Sequence, residues 1–152
     1  MMQSFRTILC ATLALTSLGA EQFPLRTGFE SAGGAVIGNL NGKQFSITHL
    51  IKGKTHRFIL TSDNPGFRDF ANSSKDLAKL DVELNNSDYY FVFGEGMCRV
   101  KGSFDPEILA LVHLSKSRFQ PAVKAWRANR LLGNFEPISP KGIDCLNEGH
   151  GA

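Results

Sequence analysis

Cysteine is scarce in this chain: three residues, Cys10, Cys98 and Cys145. That excludes a disulfide-dense scaffold. Neither Cys98 nor Cys145 has another cysteine two to four residues away, which argues against a cysteine-pair metal site. Long apolar runs are lacking too. The run from Thr7 to Leu18 is about a dozen residues, where a spanning helix needs roughly 20. An excess of one charge is also missing: 17 Lys and Arg stand against 14 Asp and Glu, a net of +3. That balance gives no ground for a nucleic acid or an anionic membrane as partner. There is no Gly-x-Ser-x-Gly nucleophile elbow. The glycine-rich "GFESAGGAVIG" lacks both the Lys-Ser/Thr ending of a phosphate loop and the spacing of a dinucleotide site. No internal repeat, low-complexity tract or interdomain linker is present.

What is present at the N-terminus reads as an export signal. In "MMQSFRTILCATLALTSLGA", Arg6 precedes the apolar run, small residues follow, and Glu21 comes directly after Ala20. This is the order of a secretory signal peptide over residues 1–20. Cleavage after Gly19 puts the small Ser17 at the third position back, and cleavage after Ala20 puts Leu18 there. The alternative, a membrane anchor, conflicts with the length of the run. Cys10 lies mid-run behind Thr7-Ile8-Leu9 and does not suit a lipoprotein. Trimming leaves one domain, residues 21–152, secreted or periplasmic, with 16 basic against 14 acidic residues. No other segment is apolar enough to span a membrane.

The retained cysteines, Cys98 and Cys145, form an even pair, expected as one disulfide in an oxidising compartment. It closes a loop of almost 50 residues, for which chain entropy gives up to about 4 kcal/mol. It would fasten the tail "GIDCLNEGHGA".

Between these landmarks the chain is rich in strand signals. After an opening loop, "AVIGNL" and "KQFSITHLI" flank Asn41-Gly42, a strong hairpin signal. Lys52-Gly53 is compatible with a second two-residue turn before "THRFIL". Asp63, Asn64, Pro65 and Gly66 mark a turn. Phe67, Phe70, Leu77 and Leu80 then fall near helical spacing, which predicts one short helix over roughly residues 73–79. "KLDVEL", "YYFVFGE" and "MCRVKGSF" read as strands. "DPEILALVHL" starts like a helix but is apolar on all sides, so 107–114 is open between strand and helix, with strand preferred among β neighbours. "AVKAWRANR" and "NFEPIS" make a last hairpin, with Pro137 and Pro140 placing its final strand at an edge. The expected fold is mainly β: a small antiparallel sandwich or barrel of eight or nine strands with one short helix.

The chemistry-bearing residues are few. If Lys52-Gly53 is a two-residue turn, Ile51 faces Lys54, His49 faces His56, and Ile47 faces Phe58. Phe45, Ile47, His49, His56, Phe58 and Leu60 then share one core-facing surface with the histidine pair at its rim. Structural, half-buried, hydrogen-bonded imidazoles are the preferred reading. A coupled pH-sensitive pair is another. A metal site needs a third ligand, for which His113 is the candidate. Asp81 and Glu83 match the acid and base of a glycosidase in type, but polar alternation on a strand explains them. Glu95, between two glycines in "FGEGMC", is either a binding edge or part of a tight turn. Cys98 with His113 as base is the weaker alternative to Cys98 in a bridge. Arg118, Lys124, Arg127 and Arg130 interleave with Phe119 and Trp126, a mixture that binds polyanions. On a strand Trp126 lies beside Lys124 and Arg130, as an exposed anchor or as a core tryptophan covered by their stems. Asn72-Ser73-Ser74 and Asn85-Asn86-Ser87 match the N-glycosylation acceptor.

The expected function is therefore an exported, non-catalytic binding domain, inhibitor-like or an envelope accessory protein. Its partner would be a protein or glycan outside the cytoplasm, and no cofactor is called for. Trp126, Arg127, Arg130 and Glu95 are the candidate contacts. The alternatives are a small secreted hydrolase using a histidine and a carboxylate, a metal-binding protein through the cross-strand histidines, and a purely structural envelope component.

Overall fold

A computed structural model describes residues 25–63 and 74–149. The expected signal peptide, the turn residues Asn64 to Gly66, the phenylalanines Phe67 and Phe70, and the first two residues of the Asn72 acceptor lie outside the described residues.

Period-two alternation, read along the chain, builds two antiparallel sheets. The first sheet contains β1 (Glu30–Leu40), β2 (Lys43–Lys52), β3 (Thr55–Asp63) and β4 (Ser74–Glu83), hydrogen-bonded in chain order. The second contains β5 (Tyr89–Phe93), β6 (Cys98–Val100), β7 (Ser103–Phe104), β8 (Ile108–His113), β9 (Phe119–Asn129), β10 (Asn134–Ile138) and β11 (Ile143–Leu146). Its order is β5-β8-β9-β11-β6-β7, with β10 also on β9. The mainly-β sandwich expected from the sequence is the fold.

The short helix is not. Residues 74–79 belong to β4, paired with β3. The helical spacing of Leu77 and Leu80 has another cause. A bulge opposite Leu60 and Thr61 inserts Leu77 as an extra residue, so two leucines three apart reach the same core. A seven-residue helix would also be too short to hold itself.

Two further strands come from segments read differently in the sequence. "MCRVKGSF" is a hairpin, turning at Lys101-Gly102 with both residues at positive φ. The C-terminal tail carries β11, which pairs with both β6 and β9. Residues 108–113 form a strand, as preferred. β1 starts at Glu30, ahead of the expected loop boundary, because an edge strand with bulges at Ser31/Gly33 and Val36/Gly38 tolerates Gly33 and Gly34.

β5, β8 and β9 form a wall between two cores, and its middle strand, β8, is buried on both faces. Phe91, Phe93, Leu109, Trp126 and Ala128 pack toward Ile47, Phe58 and Leu60 of the first sheet. Alternate residues Val92, Ile108, Ala110, Val112 and Ala125 pack instead against Ile143 and the two cysteines. The second sheet thus curls so that β6 and β11 cover the face turned away from the first sheet. Double burial explains why Ile108 to Val112 is apolar throughout.

Cys98 and Cys145 are directly opposed on β6 and β11 and form the disulfide. Both are fully buried, so the bridge fastens the strand that closes the second core. Replacing both by alanine is expected to lower the stability of the oxidised chain by about 2–5 kcal/mol in urea unfolding. An unchanged midpoint would show that the tail strand holds without the bridge.

Candidate functional site

The two histidines meet, but not as direct opposites. The turn is Gly53-Lys54, with Lys52 paired to Thr55, His49 to Phe58 and His56 to Ile51. Gly53 alone takes positive φ (59°), as a type II′ hairpin requires at its first central residue. The register differs from the expected one by two residues, and an even shift keeps every side chain on its face. His49 and His56 are diagonal neighbours joined by an Nε2···Nδ1 hydrogen bond of 2.9 Å.

Aromatic rings surround this pair. The His49 ring stacks on Phe58 at 4.5 Å and meets the Phe91 and Phe93 edges at 5.9 and 6.1 Å. His56 leans over Phe91 at 5.0 Å. Burial, reinforced by the neighbouring His56 charge, lowers the His49 pKa to about 4. Burial also lowers that of His56, against the pull of Glu83. His113 stands opposite Tyr89, exposed, with its ring on the tyrosine edge. Among the described residues no three His, Cys, Asp or Glu side chains gather as metal ligands.

The basic and aromatic residues of β9 are placed as structural groups. Trp126 is half-buried at the core rim, 6.4 Å from the Phe91 ring. Arg127 bridges Asp105 at 2.9 Å and Glu107 at 2.8 Å. Arg130 bonds Glu107 at 2.8 Å and donates to the carbonyls of Ile37 and Asn39, tying the two sheets together. Burial works against ionisation of Glu107, but hydrogen bonds from Arg130 and Arg127 outweigh it and hold its pKa below the usual carboxylate range. Lys124 is exposed. Asp81 is paired with Arg57 and Lys79, and Glu83 accepts from Thr55, so these carboxylates belong to a solvated strand face. Asn85 to Ser87 lie in the exposed turn before β5.

Glu95 is placed differently. It sits in the turn from Gly94 to Met97, and it lines an open cleft of about 850 Å³. One wall is β1 from Ala32 to Val36, the other β5 and its following turn. His49 contributes to the lining between them, and Leu114 and the segment from Leu146 to Gly149 complete it. Both walls are sheet edges. They touch where the Glu95 N–H donates to the Val36 carbonyl at 3.3 Å. Gly94 permits this approach, because a Cβ there would stand 2.8 Å from that of Ala35. The cleft joins residues from five separate places in the chain, so only Glu95, marked by its glycines, and His49 stand out in the sequence.

These features define a two-sheet β-sandwich with a cleft between two strand edges. In comparisons with known proteins, no family model, no curated protein and no solved structure matches this chain.

Because His49 holds its proton less well folded than unfolded, the unfolded chain takes up more protons between its ordinary value of 6.5 and about 4. Its contribution to stability is full above pH 6.5 and is lost as the pH falls toward 4. Discounted for partial exposure, the loss is about 1–2 kcal/mol. Urea unfolding of His49→Phe should show a flatter dependence than wild type over that range, and parallel profiles would refute this assignment.

Proposed function

We propose that the chain is a small exported, non-catalytic binding domain, and that its contact site is the cleft between β1 and β5 rather than the Trp126 region. The observation that carries this reading is the cleft itself: an open, largely apolar concavity with convergent polar groups at its rim. Glu95 is retained as a contact residue. Trp126, Arg127 and Arg130 lie outside the described lining of the cleft, engaged in packing and ion pairs.

The hydrolase alternative receives less support. The imidazole in the cleft lining, His49, is bonded to His56, and among the described residues no hydrogen bond joins it to the lining carboxylates Glu95 and Glu148. The Cys98–Cys145 disulfide is compatible with a compartment outside the cytoplasm, and the signal-like residues 1–20 support secretion. The partner is then a protein or glycan met outside the cytoplasm.

Affinity capture from the extracytoplasmic fraction of the source tests this, using the full chain, Ala32→Trp and Lys124→Glu. Ala32→Trp plugs the cleft and should lose at least about 80–90% of the captured partner, a tenfold loss being about 1.4 kcal/mol. Lys124→Glu, on an exposed site outside the cleft lining, should retain it. Equal recovery by all three would place the contact elsewhere.

A further inference from the structure

Resting on that reading, we infer that the cleft takes an extended segment of a partner protein, carrying a lysine or arginine, as an added strand on the free edge of β5.

Hydrogen-bond alternation shows which groups are free. Leu114 N–H donates to the Asp88 carbonyl at 2.6 Å, so Asp88 and Leu114 form a bonded pair. In an antiparallel ladder such pairs alternate with non-bonded ones. Tyr90 and Val92 therefore bond to β8, while the N–H and C=O groups of Phe91 and Phe93 point away from it, toward the β1 side. Glu95 N–H continues this series and bonds the Val36 carbonyl. Among the described residues, that bond is the one backbone hydrogen bond between the two edges, and no strand pairing joins them. On β1 the same alternation turns the Gly34 amide and carbonyl outward with that of Val36. Among the described residues the cleft is thus bordered by two edges with unpaired backbone groups at strand spacing.

The edges differ in how they are guarded. Sheet edges are normally blunted by charge, proline, bulges or shortness. β4 carries Lys75, Asp76 and Lys79 and a bulge. β7 is two residues long, β10 contains Pro137, and β1 has two bulges. β5, "YYFVF", has none of these devices. An unguarded apolar edge facing a cleft is suited to strand addition, where main-chain bonds supply affinity and alternate side chains supply specificity. A repeating row of N–H and C=O groups complements a polypeptide better than a glycan.

Charge specifies the segment further. The chain is net positive at +3, yet among the described residues no lysine or arginine lines the cleft, which carries the carboxylates of Glu95 and Glu148. Neither has an ion-pair partner among the described residues. Glu148 lies near enough to Tyr90 for its charge to add to the burial that raises the phenol pKa, against the hydrogen bond to Gln120. Opposite charge on the incoming strand complements this rim. The β1 wall leaves room for it: Ala32 and Ala35 are small, and a Cβ on Gly33 would meet nothing within 4 Å.

The test uses the full chain and blocked heptapeptide libraries, randomised except for a central lysine, glutamine or glutamate. The lysine library should yield binders that shift the Phe91 and Phe93 amide signals in ¹H–¹⁵N spectra. The selected peptide should lose at least about tenfold in affinity with central glutamate. N-methylation of alternate amides in one phase should abolish binding, and in the other phase spare it. In the double variant Glu95→Gln/Glu148→Gln, checked for an unchanged melting temperature, lysine and glutamate peptides should bind within about threefold of each other. Failure of every library, enrichment of glutamate, binding indifferent to N-methylation, or dimerisation through β5 seen by sedimentation would overturn the inference. Should the libraries fail while Ala32→Trp still abolishes partner capture, the cleft remains the binding site and strand addition is wrong.

Discussion

The wall formed by β5, β8 and β9 is the constraint on which the rest of the molecule depends. Its middle strand, β8, must be apolar on both faces, because two cores share it. Leu109 serves the inter-sheet core and Ala110, its chain neighbour, serves the core that holds the disulfide. At about 25 cal/mol per Å² of buried apolar surface, such a wall is a major share of folding free energy. Removing a large side chain from it would be felt on both sides, since close-packed interiors do not readily collapse around a void.

From that wall the position of the cleft follows. β8 and β9 occupy the interior of the second sheet, which leaves β5 at its edge. The turn after β5 is held to β1 by one backbone bond. Arg130, in the turn after β9, reaches across to the carbonyls of Ile37 and Asn39, and Glu107 and Arg127 fix it in place. The sheets are therefore tied by polar contacts at β1 and by aromatic packing inside, where the hydrogen-bonded His49–His56 pair sits among Phe58, Phe91 and Phe93. What these ties do not cover is the stretch of edge between them. The binding reading rests on that stretch.

Local signals in the sequence were sound where the structure is local. Asn41-Gly42 closes its hairpin, with both residues at positive φ. The shared face of Phe45, Ile47, His49, His56, Phe58 and Leu60 was legible although the register was not. Registers two residues apart expose the same faces, so hydrophobic pattern cannot choose between them. The Lys-Gly dipeptide cannot choose either: it occupies the centre of the turn at Lys101-Gly102 but straddles the turn boundary at Lys52-Gly53. The bulge at Leu77 imitated a helix because one extra residue converts a spacing of two into three. The sequence left Trp126 open between an exposed anchor and a core residue because its neighbours on the strand are cations, while Phe91, which packs near it, lies far away in sequence. The cleft was illegible for the same reason, being assembled from β1, β5 and the C-terminal segment.

Amide hydrogen exchange measured residue by residue tests this account most directly. If β8 lies within the doubly buried wall and β5 is a free edge, amides from Leu109 to Val112 exchange only through global opening. On β5 protection should alternate, with Tyr90 and Val92 slow and Phe91 and Phe93 fast. Uniform protection along β5, with Phe91 as slow as Val92, would show that its outer edge is already paired and would contradict the account.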